Sequence, residues 1–180
     1  MISLTVAKRY ARAFLEIGRQ EKAVEVFGEE LKNLAKVLRE NPQLRHILFS
    51  SIYASSIRKG IVQALSSSLC LSLRTKEFIE LLIDRERMDH FFEILKAYEN
   101  LSDEILNRQR ATLVAPLDLS LEAVEAIKGQ LEKKTGKEIL LSVEKDQSLL
   151  GGVLVKIGNT IYDGSLLKQL QRMKENLYKE

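Results

Sequence analysis

The hydrophobic pattern of this 180-residue chain changes from helical to strand-like near Arg108, and that change limits the fold to two joined parts. Before this point apolar residues recur at intervals of three and four, and no proline interrupts the chain between Pro42 and Pro116. After it, short stretches show strand-like alternation, with one helical pattern between them. The pattern predicts an all-α N-terminal six-helix bundle over residues 1–106, followed by a small α+β domain over residues 107–180.

Six helical segments are predicted in the N-terminal part. The second ends at Asn41-Pro42, since proline disfavours helical backbone at the residue before it. The six segments are Leu4–Gly18, Glu21–Arg39, Gln43–Phe49, about Ser55 to Leu69, one that begins near Thr75 and one that carries Phe91 to Ile105. In the C-terminal part the predicted order is strand, helix, strand, strand, strand, helix. Its first helix is Leu121–Lys134, stopped by a C-cap at Gly136.

Composition argues against several classes of function. The chain has 28 basic and 25 acidic residues, so nucleic-acid binding by phosphate neutralisation has little electrostatic support. No run approaches the roughly 20 apolar residues that a membrane-spanning helix needs. Cys70 is the only cysteine, which excludes an internal disulfide, and its leucine neighbours predict a buried, unreactive side chain.

No catalytic or cofactor site is predicted. The segment around Gly136 contains Gly-Lys, but a phosphate-binding loop also needs a glycine where Leu131 stands and a hydroxyl residue where Glu138 stands. His46 and His90 lie in different predicted segments without a third clustered ligand, which disfavours a zinc site. We therefore expect no catalytic residue, no metal site and no cofactor.

A paired glycine, a hairpin turn and a helix start follow one another near the end of the chain. The glycine pair supplies backbone freedom for a sharp turn or a close approach of two strands. The hairpin signal is Gly-Asn, and an Asp-Gly-Ser sequence offers capping side chains for a terminal amphipathic helix. The residues are Gly151, Gly152, Gly158, Asn159, Asp163, Gly164 and Ser165, followed by Leu166, Leu170, Met173 and Leu177 on one helix face.

This assembly resembles the C-terminal signature of the delta subunit of F-type ATP synthases, which is called the oligomycin-sensitivity-conferral protein in mitochondria. The matching residues are Gly151-Gly152-Val153, Lys156-Ile157-Gly158 and Asp163-Gly164-Ser165, with Leu170 in the last helix. At the front of the chain, Ala7-Lys8-Arg9-Tyr10-Ala11 followed by Ala13-Phe14 is similar to the first helix of that family. The resemblance therefore covers nearly the whole chain.

The resemblance implies a non-catalytic subunit of the peripheral stalk, or stator, which keeps the catalytic head from turning with the rotor. Rotation is thereby coupled to ATP synthesis and proton transport. It implies that residues 1–106 bind the N-terminal helix of an alpha subunit and that residues 107–180 bind the C-terminal helices of the b subunits. It also implies a bacterial protein, peripheral to the cell inner membrane on its cytoplasmic side through the complex, with the mitochondrial matrix as the alternative.

The alpha-subunit groove that the resemblance implies lies between the first and fifth helices. In the first helix two neighbouring apolar stripes form an arc wider than one packing face usually needs. Two interpretations stay open: a helix buried at the centre of the bundle, or one side of a groove in which small alanines permit close approach of a partner helix. The predicted lining is Ala7, Tyr10, Ala11, Phe14, Phe78 and Leu82, and the second stripe of the first helix is Val6, Tyr10, Ala13 and Ile17.

Other classes of protein also fit parts of this sequence. A helical adaptor of an unrelated complex would show the same lack of chemistry, and strong salt dependence would favour a nucleic-acid-binding protein. Lys8, Arg9 and Arg12, with no acid among the first 15 residues, also fit a mitochondrial presequence. However, those residues belong to the segment that carries the resemblance to the first helix of the family.

Overall fold

The front of the chain is helical up to the first strand. The computed structural model describes residues 2–117, 119–146, 148–149, 151–158, 160–166, 168 and 170. Contacts divide the chain into two units, Met1–Ser102 and Asp103–Glu180. Before the first strand the described helices are α1 (Ile2–Gln20), α2 (Val24–Glu40), α3 (Pro42–Phe49), α4 (Ser55–Ser68), α5 (Leu73–Asp84), a 3₁₀ helix (Met88–His90) and α6 (Phe91–Ile105).

The predicted fold class is wrong in its N-terminal half, because the structure does not show a six-helix bundle. Six α-helices and a 3₁₀ helix precede the first strand, and the α-helices range from 19 residues in α1 to 8 in α3. Only Asn41, with φ −122° and ψ 83°, separates α2 from α3, and Pro42 occupies the start of α3. Hydrophobic periodicity indicates where helices form, but it does not give their relative directions or reveal a short 3₁₀ turn.

Aromatic side chains form the centre of the N-terminal unit. The ring of Phe14 in α1 lies 5.0 Å from that of Phe27 in α2 and 4.2 Å from that of Phe78 in α5, and both pairs are stacked. Tyr98 of α6 is buried against Phe14, and its hydroxyl donates a 2.9 Å hydrogen bond to the carbonyl oxygen of Val24. Four helices therefore meet at one cluster.

The C-terminal part is an α+β domain, as expected. Its described elements are β1 (Arg108–Ala115), α7 (Leu121–Thr135), β2 (Glu138–Lys145), β3 (Leu154–Ile157) and β4 (Thr160–Asp163). The sheet order is β2-β1-β3-β4: β1 pairs parallel with β2 and antiparallel with β3, and β3 pairs antiparallel with β4. Leu166, Lys168 and Leu170 are helical, whereas Met173 and Leu177 of the predicted last helix lie outside the described residues.

One face of this sheet and α7 share a small apolar core. Leu113 at the centre of β1 faces Val143 on β2 and Val155 on β3 in the strand register. Ser120 caps the start of α7 by accepting a 3.3 Å hydrogen bond from the amide of Ala123. The buried members of the core are Ala111, Leu113, Leu131, Ile139, Val155 and Ile157.

Candidate partner-binding surfaces

The two apolar stripes of α1 have different environments. Ala7, Ala11 and Phe14 are almost completely buried within the N-terminal unit. In the second stripe Ala13 is exposed, and Ile17 keeps 39% of its surface exposed. The first stripe therefore belongs to the core, whereas the second is accessible to a partner.

The predicted lining residues of α5 are also buried. Phe78 and Leu82 lie inside, while Leu81 keeps 42% of its surface exposed. Of the six residues predicted to line a groove, only Tyr10 is partly exposed, and the other five are covered by the chain's own helices. Their role in a partner site stays a prediction.

Side-chain contacts bring α1 and α5 together in antiparallel directions. Phe14 stacks on Phe78, and Glu21, just after α1, accepts a 2.7 Å hydrogen bond from Nε of Arg74 at the start of α5. Residue numbers therefore increase along α1 in the direction in which they decrease along α5. The hydrogen bond from Arg74 to Glu21, followed by that to Glu77, raises the pKa of the Arg74 guanidinium.

A buried carboxylate that the sequence pattern did not reveal joins α2 to the start of α5. Glu30 accepts a 2.9 Å hydrogen bond from the backbone amide of Ser72 and a 2.7 Å bond from its hydroxyl. The hydroxyl of Thr75 donates to the same carboxylate. Burial first, and then the negative charge of Glu30, raises the pKa of the Tyr98 phenol. The Ser-x-x-Thr sequence is the only local signal, because the carboxylate comes from 42 residues away.

Two ion pairs from α4 reach the end of α5. Arg58, only 2% exposed, donates through both terminal nitrogens to Glu86, at 2.8 and 3.4 Å. Its neighbour Lys59 donates to Asp84 at 2.7 Å. Nε of Arg58 is buried and has no hydrogen-bond partner in the described part of the chain. Glu86 itself is 53% exposed, so water reaches one side of this pair.

The signature glycines of the C-terminal unit allow two backbone segments to touch. Gly152 has φ of +82°, and a Cβ there would lie 2.9 Å from Cα of Ser165 and closer still to the carbonyl oxygen of Gly164. The amide of Gly164 donates to Val153 at 3.0 Å. The amide of Leu166 donates to Gly151, also at 3.0 Å. Glycine is therefore required at position 152 by both conformation and space.

The remaining signature residues shape the turns around this contact. The Asp163 carboxylate accepts a 2.9 Å hydrogen bond from the amide of Ser165. The Ser165 hydroxyl in turn accepts a 3.3 Å bond from the amide of Lys168, as expected of a helix N-cap. Gly158 has φ of +55° and no atom near its missing Cβ, so its role is conformational. These residues stabilise local structure and form no cluster that suggests chemistry.

An apolar groove lies beside the glycine contact. It has a volume of about 460 Å³ and is bordered by α7, β3 and β4. At the edge of the groove, Nζ of Lys134 lies 4.2 Å from the ring centre of Tyr162 and makes a cation–π contact with it. The lining residues are Ile127, Gln130, Leu131, Val153, Val155, Ile161, Tyr162, Asp163, Gly164 and Lys168.

Gly136 and Cys70, which the sequence offered as candidates for a phosphate-binding loop and a reactive thiol, both lie at turns that follow helices. Gly136 has φ of +69°, and its amide donates to the carbonyl oxygen of Glu132, so it is the C-cap of α7. Cys70 is exposed and has φ of +51°, so the prediction that it is buried is wrong. It follows the last turn of α4, where the backbone reverses before α5. Within the described ranges, no three His, Cys, Asp or Glu side chains form a group suited to a metal ion.

No helix in the described part of the chain combines the length and the apolar character needed to cross a membrane. The longest described helix, α1, has 19 residues and carries both apolar and charged side chains.

The chain matches the model of the family "ATP synthase delta (OSCP) subunit" over residues 6–177. A curated ATP synthase subunit delta of Syntrophobacter fumaroxidans is 38% identical over 177 residues, which cover 98% of this chain and 97% of the relative. The same protein of Geobacter metallireducens is 37% identical over 179 residues and 99% of both chains.

A solved structure has the same fold. A chain in the cryo-EM structure of the Toxoplasma gondii mitochondrial ATP synthase hexamer aligns with a TM-score of 0.68. The alignment covers 96% of this chain and 97% of that one, at 16% sequence identity. The family match and the curated relatives confirm the prediction made from the C-terminal glycines and the first helix. The chain belongs to the ATP synthase delta (OSCP) subunit family, which forms part of the peripheral stalk of F-type ATP synthase.

Proposed function

We propose that this chain is a non-catalytic adaptor of the stator, in which residues 1–106 hold the N-terminal helix of an alpha subunit and residues 107–180 hold the C-terminal helices of the b subunits. The observation that carries the first half is the exposed apolar stripe of α1, a helix that contacts α5 through the stacked rings of Phe14 and Phe78. Its task is mechanical, and it requires tight binding without any bond-making step.

The geometry of α1 suits an amphipathic partner helix. Tyr10, Ala13 and Ile17 are spaced by three and four residues, so they lie on one face. The small side chain at position 13 permits close approach of a second backbone, while the residues on either side of it supply apolar contact area. On α5, Leu81 offers a second exposed apolar side chain.

The buried residues that were predicted as lining support this surface from beneath. Phe14 and Phe78 are stacked at 4.2 Å, and both are fixed by the core around them. A stacked pair in a packed core resists displacement, so the spacing of the two helices is set before a partner arrives. Preorganisation of this kind lowers the entropic cost of binding. In this proposal Ala7, Ala11 and Leu82 act in the same way.

The C-terminal unit offers apolar surface for the b-subunit helices. Ile161 on β4, with Leu166 and Leu170 after it, is exposed beside the groove bordered by α7 and β3. Lys134 lies at the rim of this groove with its Nζ over the ring of Tyr162. Lys168 is instead paired with Asp163 of the same groove at 3.8 Å, so Lys134 is the group that favours an acidic residue on the partner. A helix with an apolar face and an acidic flank is the partner of matching chemistry.

The family also supports a location. The curated relatives come from bacteria, among them Syntrophobacter fumaroxidans and Syntrophus aciditrophicus. In a bacterial cell the proposed function places the chain on the cytoplasmic side of the inner membrane, held there only through the complex. No cofactor is part of this proposal.

A matched pair of substitutions tests the alpha-subunit site. Ala13→Asp puts a charge into the exposed stripe of α1, and Ala64→Asp makes the same change at an exposed position of α4. We expect Ala13→Asp to weaken binding of a synthetic alpha N-terminal peptide by at least about tenfold, because a central contact of a helix interface contributes about 2 kcal/mol. Ala64→Asp should bind as wild type does. Calorimetric titration measures both, and equal affinities would place the site elsewhere.

The b-subunit half of the proposal needs its own variant. Ile161→Asp should weaken binding of a soluble fragment that carries the C-terminal helices of the b subunits, and it should leave alpha-peptide affinity unchanged. Loss of both activities would indicate a folding defect, which circular dichroism detects. Unchanged affinity for the b fragment would exclude this face of the C-terminal unit.

A further inference from the structure

The start of α5 is held by a carboxylate that comes from another helix. One oxygen of Glu30 accepts the Ser72 amide at 2.9 Å, and the other accepts the Ser72 hydroxyl at 2.7 Å and the Thr75 hydroxyl. Glu30 keeps only 9% of its surface exposed. No Lys or Arg forms an ion pair with it in the described ranges, so helix donors alone satisfy it.

This arrangement has more hydrogen bonds than the cap of α7. Ser120 caps α7 through its own hydroxyl alone. Ser72 also caps α5 locally, at 3.3 Å to the Thr75 amide, but the Glu30 carboxylate is added to this local bond. The N-terminus of a helix attracts negative charge, because its first amides point outward without partners. Contacts one turn apart fix both the position of α5 and its rotation about its own axis.

The rotation of α5 decides what the surface beside α1 presents. Arg74, between the two residues that Glu30 holds, pairs with Glu21 just after the end of α1. One turn further, Phe78 stacks on Phe14. Leu81 is 42% exposed while its neighbour Leu82 is fully buried, so a rotation of α5 about its axis would change which of the two faces outward.

We propose that Glu30 is a positioning residue for the surface between α1 and α5: its buried carboxylate holds the first turn of α5 and thereby sets the face offered to a partner helix. This inference rests on the proposed function, because the partner is the alpha N-terminal helix. Glu30 makes no contact with that helix itself.

The test compares full-length variants that are all folded at the temperature of measurement. Glu30→Gln removes the charge and replaces one acceptor oxygen with an NH₂ group. This group is itself a donor, so it cannot accept the hydrogen bonds from Ser72 and Thr75. Thr75→Val removes one donor and keeps the side-chain shape. The control Leu48→Ala removes a buried side chain from α3, away from this cluster. Each variant is titrated with the alpha peptide, and hydrogen exchange is measured over residues 72–84.

We expect Glu30→Gln to bind the peptide at least tenfold more weakly and to exchange faster in the first turn of α5. Thr75→Val should act in the same direction, and the double variant should fall short of the sum, because both changes remove one interaction. Leu48→Ala should lose stability and keep wild-type affinity within threefold. The proposal is overturned if Glu30→Gln binds as wild type does, or if Leu48→Ala weakens binding equally.

The same data separate this proposal from the function on which it rests. If the wild-type chain does not bind the peptide, the proposed alpha-subunit site is wrong, whatever Glu30 does. If the wild-type chain binds the peptide but hydrogen exchange in α5 is the same in Glu30→Gln as in wild type, the positioning role of Glu30 is overturned and the proposed function is not.

Discussion

Substitution of Gly152 by alanine should selectively destabilise the C-terminal unit. The residue has φ of +82°, where residues with a Cβ are strained. The added Cβ would also meet backbone atoms, with Cα of Ser165 at 2.9 Å and the carbonyl oxygen of Gly164 closer. Backbone atoms cannot avoid the added Cβ by a change of rotamer, as a side chain can, so the two segments must separate.

The magnitude follows from two effects. Left-handed backbone costs a residue with a Cβ about 1–2 kcal/mol. Separation of the segments breaks the hydrogen bonds Gly164 to Val153 and Leu166 to Gly151, each 3.0 Å long and each contributing about 1 kcal/mol net. We therefore expect a loss of about 3–4 kcal/mol in the free energy of unfolding of this unit.

Two other glycines in the same unit are matched controls. Gly136 has φ of +69° but open space around its missing Cβ, so alanine there should cost only the left-handed strain of about 1–2 kcal/mol. Gly129 lies inside α7 with nothing within 4 Å, and alanine there should stabilise by about 0.5–1 kcal/mol. The three variants separate conformational strain from steric contact.

Hydrogen exchange in increasing urea, followed on peptides from β1 and β3, measures the stability of this unit apart from the helical one. The expected order of stability is Gly129→Ala above wild type, then Gly136→Ala, then Gly152→Ala. If Gly152→Ala were no less stable than Gly136→Ala, the close approach of the two segments would be refuted.

Four further substitutions test the N-terminal unit by thermal unfolding. Phe14→Ala should cost about 3–5 kcal/mol, because a fully buried ring leaves a cavity against Phe27 and Phe78. Glu86→Gln should cost about 1–3 kcal/mol by leaving the buried Arg58 cation unpaired, whereas Arg58→Met should cost less, since Glu86 is half solvated. Burial raises the pKa of Tyr98, so its contribution is complete below about pH 10 and is lost as the pH rises further. Tyr98→Phe should therefore lose less stability than wild type between about pH 9 and pH 11.

Much of the local structure followed from the sequence, because it depends on neighbouring residues. The C-cap at Gly136 and the cap at Ser165 lie within a few positions of the groups they satisfy. Strand alternation and the positions of glycines also identified the α+β domain. The glycine pair predicted a sharp turn or a close approach of two strands, and at Gly152 the backbone lies close to Gly164 and Ser165. These are short-range signals that a single sequence carries.

What the sequence could not provide depends on contacts between distant residues. Periodicity found both stripes of α1 but could not say that Phe14 faces the core and Ile17 faces outward. The leucines around Cys70 indicated burial, yet the chain reverses there and exposes the thiol. Glu30 gave no sign of its role, since its partners lie 42 and 45 residues away.

The contacts that hold α5 differ between its middle and its two ends, and this difference affects how the helix resists torque. Phe78 at its middle is held by apolar stacking, which is strong but weakly directional. At its start Ser72 and Thr75 donate hydrogen bonds to Glu30 of α2. At its end Asp84 accepts a hydrogen bond from Lys59 of α4, and just beyond it Glu86 accepts one from Arg58. Hydrogen bonds weaken steeply when their geometry is bent, so such contacts oppose rotation of the helix about its axis. An apolar centre between two polar ends therefore opposes both separation of α5 from its neighbours and rotation of α5 about its axis.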